Sequence, residues 1–131
     1  YAFGSETLIS TLEAVKNSYN SYTMDSLALA VGEASIRDEA YFRETCRKVA
    51  ATRDRAADEL RALGFEVTPS LANFLFATHP KKAAPEIFSA LREKGIFIRY
   101  FKLPRIDNHL RITVGTDEQM DALIAALKQI L

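Results

Sequence analysis

Three features of the chain predict an α+β fold, a small and mainly antiparallel sheet of about four strands packed with helices. A helical arm with one long helix is expected to precede that sheet. The first feature is that apolar residues as far as Leu63 recur at steps of three and four, the helical period. The second is that from Phe65 onward the chain turns to short alternating runs separated by Pro, Gly and Ser, the pattern of half-buried strands. The third is the order itself, three helices and then β-β-α-β-β-α, which places helices against a small sheet.

Ser5 can cap a first helix whose apolar face is Leu8, Ile9, Leu12 and Val15. The stretch Ser18–Thr23 interrupts it with Asn20, Ser21 and two tyrosines. A second, alanine-rich helix follows from Met24 to Ile36. Asp38 is placed to cap a long third helix, with Phe42, Cys46, Val49, Arg53, Ala56, Leu60 and Leu63 as its stripe. Gly64 ends it, in the position where a left-handed residue closes a helix. Phe65–Thr68 and Asn73–Thr78 are strand-like, and His79-Pro80 ends the second run. Pro85 suits the first turn of a helix carrying Ile87, Phe88 and Leu91, which Gly95 stops. Ile96–Phe101 and His109–Val114 are the last two strands. Thr116 with Gln119 three residues on forms a capping box for a final helix bearing Met120, Leu123, Ile124 and Leu127.

Composition narrows the function. The 131 residues carry 17 Lys+Arg against 17 Asp+Glu, which argues against a general nucleic-acid binder. With 48% hydrophobic and 26% charged residues, disordered and low-complexity classes are excluded. The lone cysteine, Cys46, rules out an internal disulfide. No apolar run approaches a membrane span, and no signal peptide is visible. The chain begins at Tyr1 rather than Met, which suggests one part of a longer protein.

The last two strands carry the most informative pattern. Paired antiparallel about Arg105, they set Ile96 against Val114, Ile98 against Ile112 and Tyr100 against Leu110, all on one face. The other face then holds Arg99 directly opposite Arg111. A slip of one residue would bring charge into the apolar set, so parity is specified, whereas slips of two residues are left open. Like charges directly opposite are unfavourable on a sheet. An anion between them would relieve the pair, and arginine suits bidentate carboxylate or phosphate binding. The other reading is two solvated surface arginines, or arginines paired with acidic side chains elsewhere.

Other residues carry plainer readings. His79 and His109 lack partners at metal-ligand spacing and are read as strand-end histidines, so no metal site is assigned. Cys46 lies on the long helix's stripe and is expected to be a buried, inert thiol. Tyr19, Asn20 and Tyr22 read as an interhelix turn, and Arg53–Arg61 as a solvated helix face.

These pieces resemble a known family. His109-Leu110-Arg111-Ile112-Thr113-Val114-Gly115-Thr116 and the following Asp117-Glu118-Gln119 resemble L-R-I-T-(I/V)-G-T-x-E-E-N of histidinol-phosphate aminotransferases, with Gln119 in place of the asparagine. Gly95-Ile96-Phe97-Ile98-Arg99 is similar to that family's G-I-x-(V/I)-R strand, and Ala72-Asn73-Phe74-Leu75 to its A-N-F-(I/L) strand. Tyr1-Ala2-Phe3-Gly4, Leu8-Ile9, Leu12, Val15-Lys16 and Tyr19-Asn20-Ser21-Tyr22 resemble Y-A-(F/I)-G…L-I…L…V-K…Y-N-S-Y.

The resemblance implies the C-terminal portion of a fold type I, pyridoxal 5'-phosphate-dependent aminotransferase. Residues 1–37 would lead out of a large domain, and 38–131 would form the small domain. The whole enzyme would transfer an amino group between L-histidinol phosphate and 2-oxoglutarate in histidine biosynthesis, as a cytoplasmic homodimer. Within the same fold the alternatives are an aromatic amino-acid aminotransferase and a threonine-phosphate decarboxylase. Outside it, the alternative is a non-catalytic module binding an anion or a protein. The cofactor lysine would lie in S-K-x-x-x-x-x-G-x-R-x-G-Y, whose last tyrosine matches Tyr1. None of Lys16, Lys48, Lys81, Lys82, Lys94, Lys102 or Lys128 sits in such a motif. The chain is therefore expected to be inactive alone, with no catalytic or cofactor-binding residue of its own. Arg111 matches the arginine that grips the substrate's anionic end, and Arg99 a second one. Neither nucleic acid nor membrane is an expected partner, and the chain by itself is expected to associate non-natively through exposed apolar surface.

Overall fold

Four strands pair antiparallel throughout in a computed structural model that describes residues 3–131. They are β1 (Glu66–Thr68), β2 (Phe74–Thr78), β3 (Arg99–Tyr100) and β4 (Leu110–Thr113), in the order β1-β2-β4-β3. The helices are α1 (Glu6–Tyr19), α2 (Ser26–Arg37), α3 (Glu39–Ala62), α4 (Ala84–Glu93) and α5 (Asp117–Ile130). This is the α+β arrangement and the element order expected from the sequence. The chain divides into two compact units, one ending at Phe42 and the other spanning Arg43–Leu131.

In the second unit alternation along the strands sorts the sheet into two faces. Leu75 is register partner of Ile112, and Ala77 of both Leu110 and Val67. This set packs with Ala56 and Leu60 of α3, Ile87 and Leu91 of α4, and Leu123 and Leu127 of α5. Fully burying each such Leu or Ile contributes about 1.5–3 kcal/mol, so this layer holds the unit together. One face of the sheet thus rests on helices, and alternation directs the intervening residues to the opposite face.

The helix ends follow their local chemistry. Ser5 Oγ accepts from the Leu8 N–H, and Asp38 Oδ1 from the Tyr41 N–H. Gly64 (φ 91°) and Gly95 (φ 76°) close α3 and α4 in left-handed turns. Phe65 N–H donates to the Leu60 carbonyl in the first, and Ile96 N–H to the Leu91 carbonyl in the second. Thr116 and Gln119 form the capping box, and Gly115 leaves room for the Gln119 side chain to fold back. The N-terminus of α4 has no side-chain cap of its own. Asn108 supplies one from the connection before β4, its Oδ1 accepting from the Ala84 N–H at 2.9 Å while its Nδ2 donates to Thr78 Oγ1.

Three expectations are corrected. Ile96–Phe101 is a strand only at Arg99–Tyr100. The Ile96 N–H is already spent on the Leu91 carbonyl, and Phe97 stands 79% exposed, so the pairing of Ile96 and Ile98 with β4 does not form. Cys46 is exposed rather than buried, because the buried residues of α3 begin only at Thr52. Arg53–Arg61 is not simply a solvated face. Arg53 is buried, pairing with Asp54 and donating to the Ala72 carbonyl at 3.4 Å.

In the first unit neither α1 nor α2 buries a residue. Leu8, Leu12 and Val15 form the expected stripe but remain exposed, as do Tyr19 and Tyr22. Tyr1 and Ala2, which open the family resemblance, lie outside the described residues. No helix among the described residues is long and apolar enough to cross a membrane.

Candidate functional site

The candidate site begins with the alternation of β4. Leu110 and Ile112 point into the core, so His109, Arg111 and Thr113 emerge on the face away from it. Pairing with β3 sets Arg99 directly opposite Arg111, as the hairpin register predicts. Pairing with β2 sets Phe76 opposite Arg111 and Phe74 opposite Thr113.

Aromatic rings, rather than carboxylates, surround the two guanidinium groups. Arg111 Cζ lies 5.5 Å from the Phe74 ring centre and 5.6 Å from that of Phe101. Arg99 Cζ lies 5.4 Å from the same Phe101 ring. Neither arginine takes part in a salt bridge among the described residues. Arg111 Nε is buried with no hydrogen-bond partner, whereas Arg99 is exposed. An arginine held on aromatic faces keeps its N–H edges free for an anion.

His109 stacks on Phe76, ring centres 4.6 Å apart and planes 8° from parallel, and its buried Nδ1 also lacks a partner. His79 sits elsewhere. Its Nδ1 accepts from the Lys81 and Lys82 N–H groups and its ring packs edge-on against Phe65, so it shapes the turn after β2. No group of histidine, cysteine or acidic side chains among the described residues could hold a metal ion.

The phenylalanines are what sequence reasoning missed. Phe74, Phe76 and Phe101 share the parity of the arginines, so counting alternate positions would have placed them on this face.

A second charged group lies apart from this face, between α3 and α5. Arg55 pairs with Asp117 at 2.9 Å and Asp121 at 2.7 Å, as well as with Glu59 in its own helix. Asp117 also accepts from Thr52 Oγ1. Bonds from Arg55 and then from Thr52 hold the Asp117 carboxyl below its ordinary range. The three carboxylates raise the Arg55 guanidinium further above its own. This is a clasp between helices and leaves the arginine pair untouched.

A lysine-bound cofactor does not fit the residues present. Six of the seven lysines are exposed on the surface, and Lys82 Nζ donates to the Ile130 carbonyl at the end of α5.

An antiparallel sheet layered on helices thus carries Arg99 and Arg111 opposite each other on the face away from the core. The chain belongs to the aminotransferase class I and II family, whose model matches residues 1–127. Within that family it is similar to two curated proteins called histidinol-phosphate aminotransferase. It is 53% identical over 130 residues to the one from Marinomonas sp. (strain MWYL1), covering 98% of this chain and 37% of that protein. It is 55% identical over 130 residues to histidinol-phosphate aminotransferase 2 from Dechloromonas aromatica (strain RCB), covering 99% and 36%. Among solved structures it resembles the histidinol-phosphate aminotransferase from Sinorhizobium meliloti in complex with pyridoxal-5'-phosphate. There the TM-score is 0.77 at 30% identity, over 92% of this chain and 34% of that one. The chain therefore spans little more than a third of the length of these relatives.

Proposed function

We propose that this chain is the substrate-gripping part of a pyridoxal 5'-phosphate-dependent histidinol-phosphate aminotransferase. The whole protein would move an amino group between L-histidinol phosphate and 2-oxoglutarate in histidine biosynthesis. The cofactor, when bound, supplies the electron sink, and its lysine belongs to sequence outside this chain. Arg111 and Arg99 bind and orient the phosphate of one substrate and a carboxylate of the other.

The observation that carries this reading is the carboxylate-free arginine pair on the open face of the sheet. Two guanidinium groups that converge without an acidic partner suit an anion of more than one charge. The names of the relatives at 53–55% identity support the choice of substrate. The whole enzyme would work as a cytoplasmic homodimer. The exposed apolar side chains of α1 and α2 support self-association of the chain on its own, and a monomer in sedimentation velocity would count against it.

The test is Arg111→Ala in the full-length enzyme. The Michaelis constant for the phosphorylated substrate should rise at least tenfold, while pyridoxal phosphate absorbance and affinity stay as in the parent. Unchanged kinetics would remove the role of Arg111.

A further inference from the structure

We infer that Phe101 is a positioning residue, a shared aromatic floor that holds Arg99 and Arg111 converged and ready for an anion. This rests on the anion-site reading of the two arginines. Phe101 lies 5.4 Å from one guanidinium carbon and 5.6 Å from the other.

The register explains why one ring serves both. Arg99 and Phe101 are two residues apart, hence on one face, and Arg111 stands directly opposite Arg99. Phe101 is therefore the diagonal neighbour of Arg111, within reach of a long side chain. Without that ring the pair would carry its repulsion unrelieved, since neither arginine has a carboxylate among the described residues. The negative face of an aromatic ring attracts a cation but uses none of its N–H groups. A carboxylate in the same place would neutralise the site and compete with the ligand. An aromatic floor orders the two charges and leaves them available.

The arrangement is also asymmetric. Arg111 is flanked by Phe74 as well as Phe101, and its Nε is buried. Arg99 lies over the Phe101 ring and is exposed. Phe101 thus matters most for keeping Arg99 beside its partner.

The experiment titrates the full 131-residue chain with inorganic phosphate, following the arginine side-chain N–H resonances by NMR. Phe101→Leu keeps the apolar bulk but removes the ring, and should weaken phosphate binding about fivefold to thirtyfold. Phe101→Trp should bind as tightly as the parent. Fluorinated phenylalanines at position 101 keep the shape and drain the ring's negative face, so each added fluorine should weaken binding further. That gradation separates an electrostatic floor from simple packing, and it serves if the leucine variant folds poorly. Phosphate affinity that is equal in the leucine, fluorinated and parent chains would overturn the role of Phe101 while leaving the anion site standing. A parent chain that binds no phosphate would overturn the anion site itself.

Discussion

Arg99 and Arg111 face each other directly across β3 and β4, two like charges that form no salt bridge among the described residues and that lie 5.4 Å and 5.6 Å from the Phe101 ring centre. Two such charges are mutually unfavourable on a sheet. The arrangement therefore stores an attraction for anions in the folded chain before any ligand arrives.

The first prediction compares the two arginines. Arg111→Lys keeps the charge but loses the planar fork, which should cost about 2 kcal/mol, or roughly thirtyfold in phosphate affinity. Arg99→Lys should cost less, because Arg99 is exposed and rests on a single ring. Isothermal titration of both variants checks the order. Equal losses would contradict the asymmetry.

The second concerns acid. The Asp117 carboxyl is held below its ordinary range by Arg55 and Thr52, and that of Glu44 by Arg47 and Lys48. A carboxyl depressed in the folded state contributes stability that is present above its unfolded pKa and lost as pH falls through the folded one. Stability should therefore decline on the acidic side, starting near the ordinary carboxylate range. Asp117→Asn should flatten that acid limb in urea denaturation curves measured across pH, and an unchanged limb would show that the clasp between α3 and α5 is idle.

The third separates the two units. Leu60 is fully buried at the end of α3, and Leu60→Ala should destabilise the second unit by about 2–5 kcal/mol in chemical denaturation. Leu8 is 52% exposed, and Leu8→Ala in the isolated chain should change stability by about 0.5 kcal/mol or less.

The fourth addresses the start of α5. A Cβ at Gly115 would stand 2.3 Å from Gln119 Oε1, the atom that accepts from the Thr116 N–H. Gly115→Ala and Gln119→Ala should each cost about 1 kcal/mol through loss of the same cap. Combined, they should cost little more than either alone. An additive double variant would show that Gly115 has some other role.

Much of this was legible in the sequence, for reasons that differ by residue. Alternation along Leu110–Val114 fixes which side chains face the core, so parity placed Arg111 and Arg99 on one face, while the choice among two-residue slips came only with the observed register. Gly64 and Gly95 marked the helix ends because left-handed closure strongly favours glycine. What sequence could not show was reach in space. Cys46 shared a helical stripe with Leu60, yet the buried residues of α3 begin only at Thr52. Ile96 carried strand-forming character, but its N–H was claimed by the helix behind it. Phe101 shares the parity of Arg99, but its closeness to both guanidinium groups is a matter of reach that the pattern does not give.

Asn108 has a consequence beyond the helix it caps. Alternation allows β4 to slide by two residues along β2 with every apolar side chain still facing inward. Such a slide would draw Asn108 away from Ala84 and Thr78, leaving an amide at the start of α4 without its acceptor. A polar side chain beyond the strand's end therefore selects among frames that the hydrophobic pattern cannot tell apart. The placement of Arg111 opposite Phe76 is inherited from that choice, so errors of β2–β4 pairing during folding would be rejected at Asn108 before they could misplace that charge.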